Sequence, residues 1–384
     1  MPWSETTAMR ERVKLIAESQ SFSMMELSKR YGISRKTAYK WVERFEQEGP
    51  EGLKDRSRAP KSSPYQTEAK IVEGVLEARK RHPSWGPKKL VAWLACHSPE
   101  RTWPAASTAG EILKRHGLIR ARPFRRRLEH PGRSLYKALY PNDLWTADFK
   151  GQFRTGDARY CYPLTVADSV SRYLLGCQAL RSSATQPTRA SFQRLFEEYG
   201  LPRAIRTDNG APFASVAMGR LSALSVWWIR LGILPVLIEP SHPEQNASHE
   251  RMHRTLKEET ARPPNANLQA QQRRFDRFRL EYNEQRPHES LGQKSPATVY
   301  RPSPRPYPQR LERLDYPGHF EIRRVGSNGC ISWNAQWLHV TQALADQEVG
   351  LEELDDGIWS VHFGPMLLGR FHQGDVRLRG VSPS

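Results

Sequence analysis

Three carboxylates stand where their surroundings suggest chemistry. Asp148 lies within the apolar, strand-like run WTADFK, where an unpaired charge is costly. Period-two alternation sets it with Thr146 and Lys150, away from Ala147 and Phe149. Asp208 closes a second strand-like run in AIRTDNGAPF, where Asn-Gly breaks into a turn and displays the acid at a sheet edge. Glu250 opens a helix directly after the polar loop PSHPEQNASH. Each acid alone also fits an ordinary loop or surface role. Gathered from two strand ends and a helix, however, they repel one another unless a cation lies between them. That arrangement suits divalent metals with hard oxygen ligands, and two such ions can assist both the attacking and the leaving oxygen in phosphoryl transfer. Arg254 and Lys257 follow Glu250 at i+4 and i+7 on one helical face, where DNA phosphates would lie.

Elements able to position these acids are legible between residues 143 and 300. LWTADFKGQF, YCYPLTVADSV and RYLLGCQAL read as successive strands, and RTGDAR as the turn between the first two. A helix (TQPTRASFQRLFEEYG), a strand (RAIRTDNG), an aromatic-faced helix (SALSVWWIRLG) and another strand (LPVLIEPSHP) follow. Two long helices, ASHERMHRTLKEET and LQAQQRRFDRFRLEYNEQRP, complete the region. Antiparallel strands followed by alternation of helix and strand predict a mixed five-stranded sheet covered by helices. Asp168 in VADSVSR reads as a structural turn residue and Asp157 as part of a hairpin loop. His242, His249, His253 and His288 form no recognisable zinc spacing, so core or phosphate-facing roles are expected. Trp227 and Trp228, at helical spacing from Leu224 and Leu231, are expected in the core or at a subunit contact.

The flanks point to a polyanion. The 384-residue chain carries a formal charge of +18, and residues 1–142 hold 29 Lys and Arg against 15 Asp and Glu. A basic excess concentrated in one part favours nucleic acid, because each neutralised phosphate releases a counterion. Residues 8–50 read as a helix-turn-helix domain. Its second helix runs Met24–Tyr31, Gly32–Ile33 form the turn, and Ser34 caps the third helix. Leu27, Ile33, Ala38 and Val42 are expected to be buried, while Ser34, Arg35, Lys36, Thr37, Tyr39 and Lys40 would meet DNA. A linker (51–66) leads to a second helix-turn-helix-like domain (67–119), whose last helix Ser107-Thr108 would cap. A basic linker follows (120–142), in which Arg125, Arg126 and Arg127 could track a phosphate backbone. Beyond the core (143–300), a Pro/Arg-rich hinge (301–315) precedes short β segments (316–380) expected to form a small barrel or sandwich. The fold class is thus multidomain α+β.

Cys96, Cys161, Cys177 and Cys330 are scattered without a CxxC pair, which argues against a disulfide framework and fits a reducing compartment. No apolar run is long enough to span a bilayer, and the first residues lack a signal-peptide core. A cytoplasmic, nucleoid-associated protein without membrane contact is expected.

DLWTADFKG, TDNGAPF, HPEQNASHERMHRTLKEE and YNEQRPHESLGQKSPATVY occur in this order. With them, residues 143–300 resemble the retroviral-integrase-like catalytic core of DDE transposases, most closely insertion-sequence transposases of the IS481/IS3 type. The resemblance implies an RNase H-like core and an SH3-like C-terminal barrel. It also implies that Asp148, Asp208 and Glu250 are catalytic and bind two Mg²⁺ or Mn²⁺ ions. Between Asp208 and Glu250 lie 41 residues; Glu244, with 35 between, belongs to the preceding loop, and the helix-borne ERMHRTLK selects Glu250. Ala247 stands where the family commonly has Gly. The implied activity is metal-dependent cleavage and strand transfer, with double-stranded DNA (terminal inverted repeats and target) as partner and a homodimer or larger homo-oligomer as working unit. The rival expectations are a DNA-binding regulator or decayed, domesticated transposase that binds without cutting, and an RNase H-like nuclease that cuts without joining.

Overall fold

Serines cap two of the helices of the first unit. Ser23 accepts a hydrogen bond from the Glu26 amide while the Glu26 carboxylate accepts from the Ser23 amide (3.0 Å), and Ser34 accepts from the Thr37 amide. In the computed structural model, which describes residues 8–56, 66–119, 136–215, 218–238 and 247–380, the chain divides into two compact units, one up to residue 67 and the other from residue 68. The first contains α1 (Ala8–Glu18), α2 (Met24–Arg30) and α3 (Arg35–Glu48). Leu15, Leu27, Ala38, Trp41 and Leu53 form its core. The buried position on α3 is therefore Trp41 rather than Val42, which is only half-buried. Spacing of three from Ala38 turns the indole inward, and the Arg12 guanidinium covers it at 3.9 Å.

The second unit opens with α4 (Ala69–Arg81), α5 (Pro87–His97) and α6 (Ala106–Arg115), packed around Val75, Trp85, Leu90, Ile112 and Leu113. Helix α6 begins at Ala106 with Ala105 at its cap and no side-chain cap bond, so Ser107 and Thr108 lie inside its first turn instead of capping it. This bundle is fastened to later helices: the His82 imidazole meets Glu281 at 2.8 Å, and Lys88 pairs with Glu289 at 3.0 Å.

The central sheet comprises β1 (Leu144–Phe149), β2 (Phe153–Arg154), β3 (Tyr160–Asp168), β4 (Leu174–Leu180), β5 (Ala204–Thr207) and β6 (Leu234–Leu237). Its main order is β4-β3-β1-β5-β6, antiparallel on the β3 and β4 side and parallel on the β5 and β6 side; the two-residue β2 pairs with the start of β3. The expected single first strand is broken between Phe149 and Phe153, where Gly151 takes a φ of 52°. One face of the sheet (Trp145, Ala147, Leu164, Val166, Ile205) packs on α7 (Thr185–Tyr199) and α8 (Ala223–Arg230) through Phe192, Phe196, Trp227 and Trp228. Cys161, Leu174 and Cys177 pack on α9 (Ala247–Thr260) and α10 (Leu268–Glu284) through Met252, Leu256, Phe275 and Phe278.

A short helix, α11 (Pro296–Val299), leads into the Pro/Arg-rich stretch, which is a bound strap and not a hinge. The Arg305 guanidinium donates to the carbonyls of Pro202 (2.9 Å), Leu231 (3.1 Å) and Gly232 (2.9 Å), and the Ser303 amide donates to Tyr199 O. Gly200, at φ 76°, lies beneath it: an added Cβ would come within 2.7 Å of the Arg305 and Ser303 carbonyl oxygens. Gly200→Ala should therefore lower stability by about 1–3 kcal/mol, read as a reduced urea midpoint at unchanged slope; an unchanged midpoint would show that the strap yields.

The C-terminal region has β7 (Glu321–Arg324), β8 (Cys330–Trp333), β9 (Gln336–His339), β10 (Glu348–Asp355), β11 (Ile358–Phe363), β12 (Met366–His372) and β13 (Asp375–Arg379). Five of them form an antiparallel sheet in the order β13-β12-β11-β10-β7, and β8 pairs only with β9. Among the described residues the expected barrel is thus an open sheet and a separate hairpin. CISWNAQWLHV folds back at Asn334 and Ala335, both at positive φ, so its two strands satisfy each other. Val325, Ile331, Trp333, Leu351, Val361 and Phe363 fill the core between them, joined by Leu221 and by Val226 and Ile229 of α8.

Candidate active site

Two of the acids follow neighbouring, parallel strands. β1 and β5 run parallel with Leu144 opposite Ala204, Trp145 opposite Ile205 and Thr146 opposite Arg206. Continued two residues further, this register would set Asp148, near the end of β1, level with Asp208, just beyond β5. Both share the parity of the Thr146–Arg206 pair and so belong to one face of the sheet. Asp208 is exposed, and its Oδ1 accepts the Gly210 amide at 3.2 Å. The Asn209 side chain donates to Ile238 O at 2.9 Å, tying the turn to the end of β6. Here Asn-Gly shapes the loop, and a side chain at Gly210 would meet the Asp208 carboxylate at 3.3 Å.

Helix α9 lies over that face. Its buried residues His249, Met252, His253, Leu256 and Thr260 follow a spacing of three and four, which defines one helical stripe. Glu250, Arg254 and Lys257 lie on the exposed side, where Arg254 reaches Glu258 at 3.5 Å. The His249 Nδ1 contacts Thr146 Oγ1 at 3.0 Å and its Nε2 contacts Thr165 Oγ1 at 2.6 Å. The His253 Nε2 lies 2.5 Å from the same Thr165 oxygen, and its Nδ1 lies 3.6 Å from Asp148 Oδ2. Thr165 is opposite Asp148 in the β1–β3 ladder and also contacts Asp148 O at 3.1 Å. Burial pushes His249 down to about 3. Burial, with the positive charges of protonated His249 and of Lys150 adding to it, pushes His253 down to about 2. Both imidazoles are neutral near pH 7, the form that binds metal.

Potential ligand atoms of Asp148, His249 and His253 all lie within 4.8 Å of one another. Asp208 and Glu250 are not part of that group, whereas the two histidines, expected only as core or phosphate-facing residues, are. Their i, i+4 spacing across the apolar stripe of α9 is the sequence signal that could have identified them. Both nitrogens of His249 contact threonines, which leaves Asp148 and the His253 imidazole as a donor pair suited to a divalent ion.

The remaining candidates fall in three places. Arg35, Lys36, Tyr39 and Lys40 are exposed along the start of α3, whereas Ser34 and Thr37 bond to each other at 2.9 Å within the cap. Arg125, Arg126 and Arg127 lie outside the described residues, as do His242 and the loop carrying Glu244. Asp168 is buried and accepts the amides of Asn142 (2.7 Å) and Ser171 (2.7 Å) and the Ser171 hydroxyl (2.5 Å), a structural anchor for the start of the core. Burial raises its pKa against these hydrogen bonds. Asp157 accepts the Thr155 hydroxyl in its hairpin loop. No helix among the described residues is long and apolar enough to cross a membrane.

Comparison with known proteins gives matching families along most of this length. Residues 139–243 and 231–296 match integrase core domains, residues 11–61 a helix-turn-helix domain and residues 37–113 a homeodomain-like domain. The chain is 33% identical over 181 residues to an uncharacterized 39.2 kDa protein of insertion element IS476 from Xanthomonas euvesicatoria, covering 45% of this chain and 49% of that protein. It is 28% identical over 158 residues to an uncharacterized 31.7 kDa protein of insertion element IS407 from Burkholderia multivorans, covering 41% and 54%. The chain thus spans about half the length of these relatives. Among solved structures, the HTLV-2 integrase catalytic core domain in complex with magnesium aligns at 16% identity and a TM-score of 0.35, over 43% of this chain and all of that one.

Proposed function

We propose that this chain, whose integrase core, helix-turn-helix domains and insertion-element relatives support an IS3/IS481-type transposase with an integrase-like core, is a DDE-type DNA transposase. In this reading it binds terminal inverted repeats, cuts at the element's end and joins the freed 3′ end to target DNA. The observation that supports it is the parallel β1–β5 register, whose continuation beyond Thr146–Arg206 would put Asp148 and Asp208 on the face of the sheet that α9 covers. These three acids would hold divalent ions, Mg²⁺ or Mn²⁺, which when bound supply activation of the attacking oxygen and charge neutralisation at the leaving one. Arg254 and Lys257, exposed on the Glu250 helix, hold the phosphates of the strand to be cut. His249 and Thr146 lock α9 onto β1, so the acids keep their spacing as DNA enters.

The first helix-turn-helix (8–50) reads the repeat through Arg35, Lys36, Tyr39 and Lys40. The second (67–119) and the basic segment with Arg125, Arg126 and Arg127 extend the grip along the backbone. The core (143–300) performs the chemistry, and the C-terminal sheet and hairpin (316–380), read as an opened SH3-like module, serve assembly. Two ends must be joined, so the working unit is at least a homodimer, acting on DNA in the cytoplasm.

The test uses the full chain with a duplex ending in the element's inverted repeat and Mg²⁺ or Mn²⁺. A nick at the repeat end followed by a joined product supports the reading. Binding without cutting identifies a regulator or decayed enzyme, and cutting without joining a simple nuclease. In the same system Arg35→Ala should flatten the dependence of log affinity on log salt by about one unit; an unchanged slope removes Arg35 from the interface.

A further inference from the structure

Asp148 has a neighbour that the three-carboxylate reading leaves unused. His253 Nδ1 lies 3.6 Å from Asp148 Oδ2 and makes no hydrogen bond among the described residues. The gap is too long for an N–H···O hydrogen bond. It matches two donors on one small ion: bonds of about 2.0–2.2 Å at a near-tetrahedral angle put the donor atoms roughly 3.5 Å apart.

Proton counting at Thr165 points the same way. Its hydroxyl meets His249 Nε2 at 2.6 Å, His253 Nε2 at 2.5 Å and Asp148 O at 3.1 Å, yet it can donate only once. When it donates to the Asp148 carbonyl, both imidazoles donate to it through Nε2–H. The lone pair on His253 Nδ1 then faces the Asp148 carboxylate, and two such lone pairs call for a cation between them. A polar partner fixed to the far ring nitrogen is the usual setting of a metal-binding imidazole. His249 is excluded from this role, since Thr146 and Thr165 occupy both of its nitrogens.

We propose that His253 Nδ1 and Asp148 Oδ2 together bind one divalent ion, giving the site a nitrogen donor and a preference for first-row transition-metal ions over Mg²⁺. The proposal rests on Asp148 being a metal-holding acid, as in the proposed function.

The experiment loads the full chain with one equivalent of Mn²⁺ and records pulsed EPR, with natural-abundance and with ¹⁵N-histidine-labelled wild-type protein. Nitrogen modulation that changes frequency on histidine labelling is expected, lost in His253→Gln and kept in His249→Gln. Titration should show Mn²⁺ binding weakened in His253→Gln by at least the roughly tenfold that loss of even an outer partner costs. The labelled wild type needs no substitution, so a poorly folded variant leaves the question decidable. Mn²⁺ bound without histidine modulation, or modulation that survives His253→Gln, overturns the proposal while the carboxylate site stands. Mn²⁺ binding that is absent in wild type, or undiminished in Asp148→Asn, overturns both.

Discussion

Asp208→Asn loses strand cutting by roughly a thousandfold or more and keeps its affinity for repeat DNA. The substitution preserves shape and one acceptor oxygen for the Gly210 amide, the hydrogen bond that holds the side chain in its turn. Asn209 still ties the loop to Ile238, and the residue is exposed, so neither the fold of the core nor the separate unit that carries α3 is disturbed. Only the negative charge is removed. Gel assays of nicking and joining, run beside a binding titration on the same protein, measure the two quantities separately. Cutting within about tenfold of wild type would mean that Asp208 is a turn residue and nothing more.

Mild acid is the second large effect. Burial lowers His249 to about 3, His253 to about 2 and His288 to about 3, with His288 further depressed by Lys89, Arg286 and Arg172. Below the ordinary histidine value of about 6.5 the unfolded chain takes up three protons that the folded chain refuses, so unfolding is favoured as pH falls. The contribution is present above about pH 6.5 and is lost progressively toward pH 3, at about 4 kcal/mol per pH unit where all three titrate. Between about pH 6.5 and 5 the metal-free chain should lose about 5 kcal/mol, comparable to the whole stability of many domains. Asp168 acts in the opposite sense: burial raises it, so its contribution is present in acid and lost as pH rises. Urea midpoints near neutrality and near pH 5 measure the difference, and equal midpoints would mean that the three rings reach water.

Local signals in the sequence carried much of this architecture. Ser34 is the cap it was expected to be, and alternation in WTADFK does divide Ala147 from Asp148. Trp227 and Trp228 are core residues. What escaped was decided by distant partners. Trp41 and Val42 stand three and four residues after Ala38, on either side of its line along the helix, and Trp41, covered by the Arg12 guanidinium, is the one that is buried. His249 and His253 stand at i, i+4 on one face of α9, but what they meet is set by Thr146, Asp148 and Thr165 on two strands more than 80 residues away. Arg305 grips three backbone carbonyls, and a carbonyl leaves no trace in residue type. The pairing of β8 with β9 alone likewise depends on which strands lie alongside, not on their composition.

Helix α8 serves two interiors at once. Leu224, Trp227 and Trp228 point into the sheet that carries the acids, while Val226 and Ile229 complete the C-terminal interior. A fragment trimmed to residues 143–300 would therefore keep its chemistry-bearing strands but bare an oily flank to water, and such patches drive clumping. The smallest well-behaved piece of this protein has to include its tail.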